Sequence, residues 1–211
     1  MSKNESAIQG TKPYDLFVAG VSLLSIINIL LLYIFSDPTI EYVIGTIDIV
    51  LSVFFFIDFL RNMHRTDNKR RYFFKEFGWA DLLASMPFPQ FKILRIFRLL
   101  KAYRLLKKDG GRSAIRNFVK NKAEGAVYIV FFMIILLLEF GSIAVLKAEM
   151  TSPSANITTA SDAIWWVYVT ITTVGYGDKY PVTNAGRLVG MVVMFVGVGL
   201  FAVMTGFLAN K

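Results

Sequence analysis

Four runs of apolar residues, Leu16 to Phe35, Tyr42 to Leu60, Gly125 to Leu146 and Ala185 to Leu208, are each long enough to cross a membrane. At about 1.5 Å rise per residue each covers a hydrocarbon core of about 30 Å. A backbone that enters lipid must satisfy its own amides, which commits these runs to helix. The composition agrees, with 55% hydrophobic and only 18% charged residues, well outside the balance of a soluble domain. Met1 to Tyr14 is polar and lacks a small-residue cleavage site, so no removable signal peptide is expected and the first span serves as its own signal. With no cysteine in the chain, neither a disulfide framework nor thiolate chemistry is available. His64 stands alone in a basic loop and reads as a solvated side chain. No nucleophile–base set, cluster of metal ligands or phosphate loop lies outside the spans, so neither an enzyme nor a bound cofactor is expected.

The net charge of +8 would suit nucleic acid, but its placement argues otherwise. Arg61, Arg65, Lys69, Arg70, Arg71 and Lys75 crowd the loop after the second span, which marks that side as cytoplasmic. Ser36-Asp37-Pro38 then forms a short acidic outer loop, and both termini are cytoplasmic. A third, shorter span, Phe77 to Met86, stops at Pro87-Phe88-Pro89, where the paired prolines remove donors and disfavour continued helix.

The fourth span, Lys92 to Lys108, has a basic residue at every third position: Lys92, Arg95, Arg98, Lys101, Arg104 and Lys107. A helix lying on the membrane surface would keep such charges on one face. At about 100° per residue, a spacing of three drifts by roughly 60° per step, so the five charges from Arg95 to Lys107 sweep about 240°. Only a 3₁₀ segment would align them. A charge spiral suits a helix that slides past fixed counter-charges, the arrangement of a voltage sensor. Asp48 falls in the outer half of the second span and Asp58 near its inner end, about 15 Å away by helical rise. Asp81 falls in the inner half of the third span, so Asp58 and Asp81 are expected to share an inner site. Asp109-Gly110-Gly111 then breaks the chain, and an amphipathic linker follows that carries Arg112, Arg116, Lys120 and Lys122.

Between the last two long spans lie an amphipathic segment, Ala160 to Ile171, and the loop Thr172-Thr173-Val174-Gly175-Tyr176-Gly177-Asp178. Thr-Val-Gly-Tyr-Gly is the known signature of a potassium filter, in which four loops around one axis replace the ion's water with backbone carbonyls. Gly175 and Gly177 permit backbone angles closed to other residues, the Thr173 hydroxyl adds a ligand, and Val174 and Tyr176 are expected to pack outward on Trp165 and Trp166. Asp178 closes the filter on its outer side. Ser161 or Asp162 is the expected cap of the pore helix, whose C-terminal dipole end favours a cation in the cavity below. Glu139, costly in lipid, is expected to face a pore-helix partner. Asn156-Ile157-Thr158 matches a glycosylation acceptor, a motif too short to carry weight. Gly190, Gly197, Gly199 and Gly206 allow close helix packing, with Gly197 the candidate gating hinge.

Over nearly its whole length the chain resembles the six-helix voltage-gated potassium channels. Ile93 to Lys101, with Arg104 and Lys107, is similar to that family's fourth helix, with lysine at the third charge. Asp48, Phe55, Asp58 and Asp81 match its outer acid, aromatic plug, inner acid and third-helix acid, so the resemblance implies Phe55 as the gasket that charges pass. The pore half, Ala163 to Phe201, is also similar to simpler bacterial potassium channels. There are departures: the sixth helix lacks a paired-proline bend, and Val169 stands where some bacterial pores carry a glutamate. The implied fold is an all-α membrane protein of six transmembrane helices. A cytoplasmic N-terminus (1–14), a four-helix voltage-sensor domain (15–108) and a linker (109–122) precede a pore domain (123–211) with a re-entrant pore helix and filter. One chain supplies one filter strand, so a homotetramer in the cell membrane with K⁺ as permeant ion is implied. If about three charges per subunit cross the field, roughly twelve do so in all, worth on the order of 28 kcal/mol per 100 mV. The runner-up is the membrane portion of a cyclic-nucleotide-gated relative, with a binding domain beyond Lys211 in a longer parent chain. A non-conducting regulatory subunit is the third reading.

Overall fold

The computed structural model describes residues 13–34, 37–66, 68–75, 77–86, 97 and 122–209, and the described residues are helices joined by turns and loops. Helix α1 spans Pro13–Ile34 and α2 spans Pro38–Arg65. Asp37 starts α2 by accepting a hydrogen bond from the Thr39 amide at 2.9 Å, and Pro38 occupies the first turn, where its missing N–H costs nothing. The second span therefore exceeds the expected Tyr42 to Leu60 at both ends.

The basic loop expected over Arg61 to Lys75 is largely helical. It holds the end of α2 and the short α3, Lys69–Lys75, which Asn68 caps through a bond from the Arg71 amide at 3.2 Å. The expected third span appears as α4, Gly78–Ala84, a helix of 7 residues entered through Phe77 in a left-handed conformation (φ 60°). The basic fourth span lies outside the described residues except for Phe97, whose ring meets Trp79 of α4 edge-on at 5.4 Å. The half expected to form a pore consists of α5, Lys122–Glu149, α6, Ala160–Ile171, and α7, Asn184–Ala209. By length and apolarity α1, α2, α5 and α7 are able to cross a membrane.

The chain forms two compact units that cut across its helices. One combines residues 1–30 with 48–128. Its described core includes Phe17, Val21 and Leu24 of α1, and Leu51, Phe55 and Phe59 of α2. Phe17 meets Phe54 edge-on at 5.7 Å and lies 5.6 Å from Tyr128 at the start of α5. The other unit combines residues 31–47 with 129–211. Its core joins Val43 of α2, Val145 and Leu146 of α5, Ala163, Trp166, Val167 and Ile171 of α6, and Val193 of α7.

Candidate functional site

The sequence that places the loop 172–178 begins with the start of α6. Thr159, not Ser161 or Asp162, is the N-cap: its hydroxyl accepts from the Asp162 amide at 3.1 Å, and the Asp162 carboxylate accepts from the Thr159 amide at 3.1 Å. Such a reciprocal box satisfies two amides that a helix start leaves open. Burial alone would raise the Asp162 pKa, but the Lys179 ammonium at 2.9 Å and the hydrogen bonds from Thr159 and Thr158 outweigh it and hold the carboxyl down to about 2.

At its other end α6 feeds directly into the loop. The Thr172 amide donates to Tyr168 O at 3.1 Å, the Thr173 amide to Thr170 O at 3.0 Å, and the Val174 and Gly175 amides both to Val169 O, at 3.1 and 3.4 Å. Four consecutive amides are thus tied to the helix's last carbonyls. Among the described residues no donor reaches the carbonyl oxygens of residues 173–177. The backbone alternates in sign: Thr173 (φ 59°), Gly175 (φ 60°) and Gly177 (φ 78°) are left-handed, whereas Val174 and Tyr176 are not. Alternating handedness gathers successive amides on one side of a strand and thereby turns the carbonyls to the other. Glycine adopts the required angle without the penalty a side chain incurs.

Tyr176 stacks on Trp165 with ring centroids 5.7 Å apart and planes within 3°, and the Trp165 indole N–H donates to Asp178 Oδ2 at 2.8 Å. Trp166 has a different place. It is buried in the core and lies beside Gly190 of α7. Val174 is exposed. Thr172 turns its hydroxyl back to Tyr168 O at 2.8 Å.

Two residues that sequence reasoning did not assign hold the outer part of this region. Asn156, noted only for its glycosylation motif, accepts from the Tyr180 amide at 3.2 Å and receives the Lys179 ammonium on its own carbonyl at 2.7 Å. Glu149 is fully buried and accepts from the Val182 and Thr183 amides at 2.9 and 3.0 Å and from the Thr183 hydroxyl at 2.8 Å. That same hydroxyl accepts from the Gly186 amide at 2.9 Å and so caps α7. A Cβ at Gly186 would collide with the Glu149 carboxylate, so any larger residue would have to displace it from these bonds. A threonine preceding an apolar run is a readable cap signal, whereas a contact across more than 30 positions leaves no local trace. Gly197 is buried, and a Cβ there would come within 3.0 Å of Ile171 Cα, so it admits the end of α6 against α7. Glu139 is also fully buried.

In the other unit Asp48, Phe55, Asp58 and Asp81 are all buried. The Ser25 hydroxyl reaches Asp48 at 3.4 Å and the Asn62 amide donates to Asp58 at 3.1 Å. The Tyr72 hydroxyl donates to Asp81 at 2.9 Å while the Tyr72 ring lies 6.4 Å from Phe59. Tyr72, unassigned from the sequence, therefore links Asp81 to the helix turn that carries Asp58. Arg95, Arg98, Lys101, Arg104 and Lys107 lie outside the described residues.

Residues 11–211 match the family described as "Ion transport protein". Among curated proteins, the "Voltage-gated potassium channel" of Aeropyrum pernix is 36% identical over 83 residues, 39% of this chain and 28% of that protein. The human "Potassium voltage-gated channel subfamily A member 4" is 43% identical over 70 residues, 33% of this chain and 11% of that protein. The matched stretches thus take up less than a third of either relative's length. A family match over nearly the entire chain, on helices of membrane-crossing length, makes this protein a member of the ion transport protein family.

Proposed function

We propose that the chain is one subunit of a homotetrameric, potassium-selective, voltage-gated channel of the cell membrane, with six transmembrane helices and both termini cytoplasmic. The observation that carries this reading is the backbone of residues 173–177, alternating in sign, with the amides of residues 173–175 tied back to α6 and its carbonyls met by no donor among the described residues. Rings of such carbonyls from four chains would replace the water around K⁺. Tyr176 and Asp178, anchored on Trp165, would hold the ring open from behind. For the sensor, the basic residues Arg95, Arg98, Lys101, Arg104 and Lys107 would exchange partners between Asp48 and the Asp58–Asp81 region past Phe55. Gly197 would serve as the hinge of α7. The names of the two relatives support a potassium channel and favour voltage over a cyclic nucleotide as the stimulus.

The test is the current of the purified chain in a planar bilayer under potassium and sodium gradients. The expected result is a potassium-selective current that rises steeply with depolarisation, and Gly175→Ala should abolish the selection without dissociating the assembly. Equal sodium and potassium permeability would overturn the filter assignment. Selective current indifferent to voltage would retain the pore and overturn the sensor.

A further inference from the structure

The surface between the acidic outer loop and the pore half is closed within one chain. Asp37, at the start of α2, forms an ion pair with Lys147 in the last turn of α5. The two groups are 110 positions apart in sequence. Just below them Ile40 and Val43 of α2 face Ile143 and Leu146 of α5. Ile40, Val43, Ile44 and Ile47 are each at most 5% exposed and recur at helical spacing, so one stripe of α2 is buried along its outer half. Val43, at 0% exposure, belongs to the same core as the pore-half residues Val145, Val167 and Val193. Near the opposite end of α5, Tyr128 lies 5.7 Å from Tyr14 and 5.6 Å from Phe17 of α1. Tyr128 and Lys147 are separated by about 28 Å of helical rise. Helices of the sensor half thus contact α5 of their own chain near both ends of its membrane-crossing length.

The remaining pore surface shows the opposite pattern. Leu188, Met191, Val192, Phe195 and Val198 of α7 form an apolar stripe with exposures from 55 to 85%, a face left for something outside the chain. Were the sensor half built to sit on a neighbour, the outer end of α5 would be the bare surface. It is the covered one.

We infer that in the assembled channel each sensor half docks on the pore half of its own subunit, through α2 and α1 against α5, and that the α7 side is offered to neighbouring copies. This docking presupposes the tetramer proposed above. A sensor on its own pore acts within one subunit.

The cysteine-free chain suits a cross-linking test on the intact assembly in membranes. The double variant Asp37→Cys with Lys147→Cys is treated with a short bifunctional maleimide and run on a denaturing gel. In parallel, two differently tagged chains, one carrying Asp37→Cys alone and the other Lys147→Cys alone, are co-expressed and treated alike. Docking within the subunit predicts an internally linked monomer in the first case, identified by mass spectrometry, and no dimer bearing both tags in the second. A dimer with both tags overturns the proposal, as does the absence of any link in both this pair and the buried pair Ile40→Cys with Leu146→Cys. The native mass of the untreated particle in detergent reads the other question separately. A single chain there defeats the tetramer, whatever the cross-links show.

Discussion

Trp165 and Asp162 show how single side chains hold the surroundings of the loop 172–178. Replacing Trp165 with Phe keeps a ring for Tyr176 to stack on but deletes the 2.8 Å bond to Asp178. A hydrogen bond to a charged group is worth about 1.5–3 kcal/mol, and each 1.4 kcal/mol is about tenfold in an equilibrium. Trp165→Phe should therefore shorten the conducting lifetime of the open channel by about tenfold or more in single-channel records; an unchanged lifetime would remove the anchor role. Asp162 makes a prediction in pH. Its folded pKa of about 2 lies below the unfolded value of about 3.9, so its contribution is complete above about pH 4 and disappears as pH falls through about 2. The gap in unfolding temperature between the native chain and Asp162→Asn should stay constant from pH 7 to 5 and close toward pH 2. A gap that closes instead between pH 7 and 5 would assign it to another group. Asp37, paired with Lys147, is held down to about 2 in the same way. At this scale the sequence was only partly legible. Thr158, Thr159, Ser161 and Asp162 are all competent caps, and which one ends up at the cap is decided by where α6 begins, although a threonine followed three positions later by an acid is the pattern of a capping box.

Among the elements, α6 and α7 carry the sharpest distinction between close packing and flexibility. Gly197 and Gly199 are two positions apart on α7, yet a Cβ on Gly197 would press on Ile171 at 3.0 Å while one on Gly199 would meet nothing within 4 Å of this chain. Alanine raises helix propensity by about 1 kcal/mol at either site. Gly197→Ala should then displace the end of α6 and degrade ion selection, whereas Gly199→Ala should stabilise α7 and leave selection intact, as read from reversal potentials in mixed potassium and sodium. Equal effects of the two would show that the contact with Ile171 does not set the outcome. The boundaries of α6 agree with the expected Ala160 to Ile171, because a short apolar stretch bounded by polar residues is marked at both ends. The segment from Arg61 to Lys75 was harder. Its charges hide a helix that depends on the Asn68 cap and on Tyr72 finding Asp81, neither of which a charge pattern announces.

For the molecule as a whole, the four long helices were readable because lipid demands apolar runs of a minimum span, although the polar ends of α2 were not. Nor were the faces these helices present. On α2, Ile47, Leu51 and Phe55 are buried while Ile49, Val53 and Phe56 are exposed, and hydrocarbon and protein interior select the same residue types, so sequence does not separate the two. The burial of Val43 among residues of α5, α6 and α7, and with it the division of the chain into units that cut through α1, α2 and α5, could only be read from packing. One outer-mouth contact also bears on traffic far from the backbone that would bind ions. Lys179 follows Asp178 in sequence and would cancel its charge if the two stood together. Its ammonium is instead held by the Asp162 carboxylate and the Asn156 carbonyl, while Asp178 is met by a neutral indole. In the proposed channel the entrance would therefore keep an anionic character that a count of neighbouring charges would miss, and a fourfold arrangement of such carboxylates would concentrate cations at the vestibule and hasten their arrival, most of all in dilute salt.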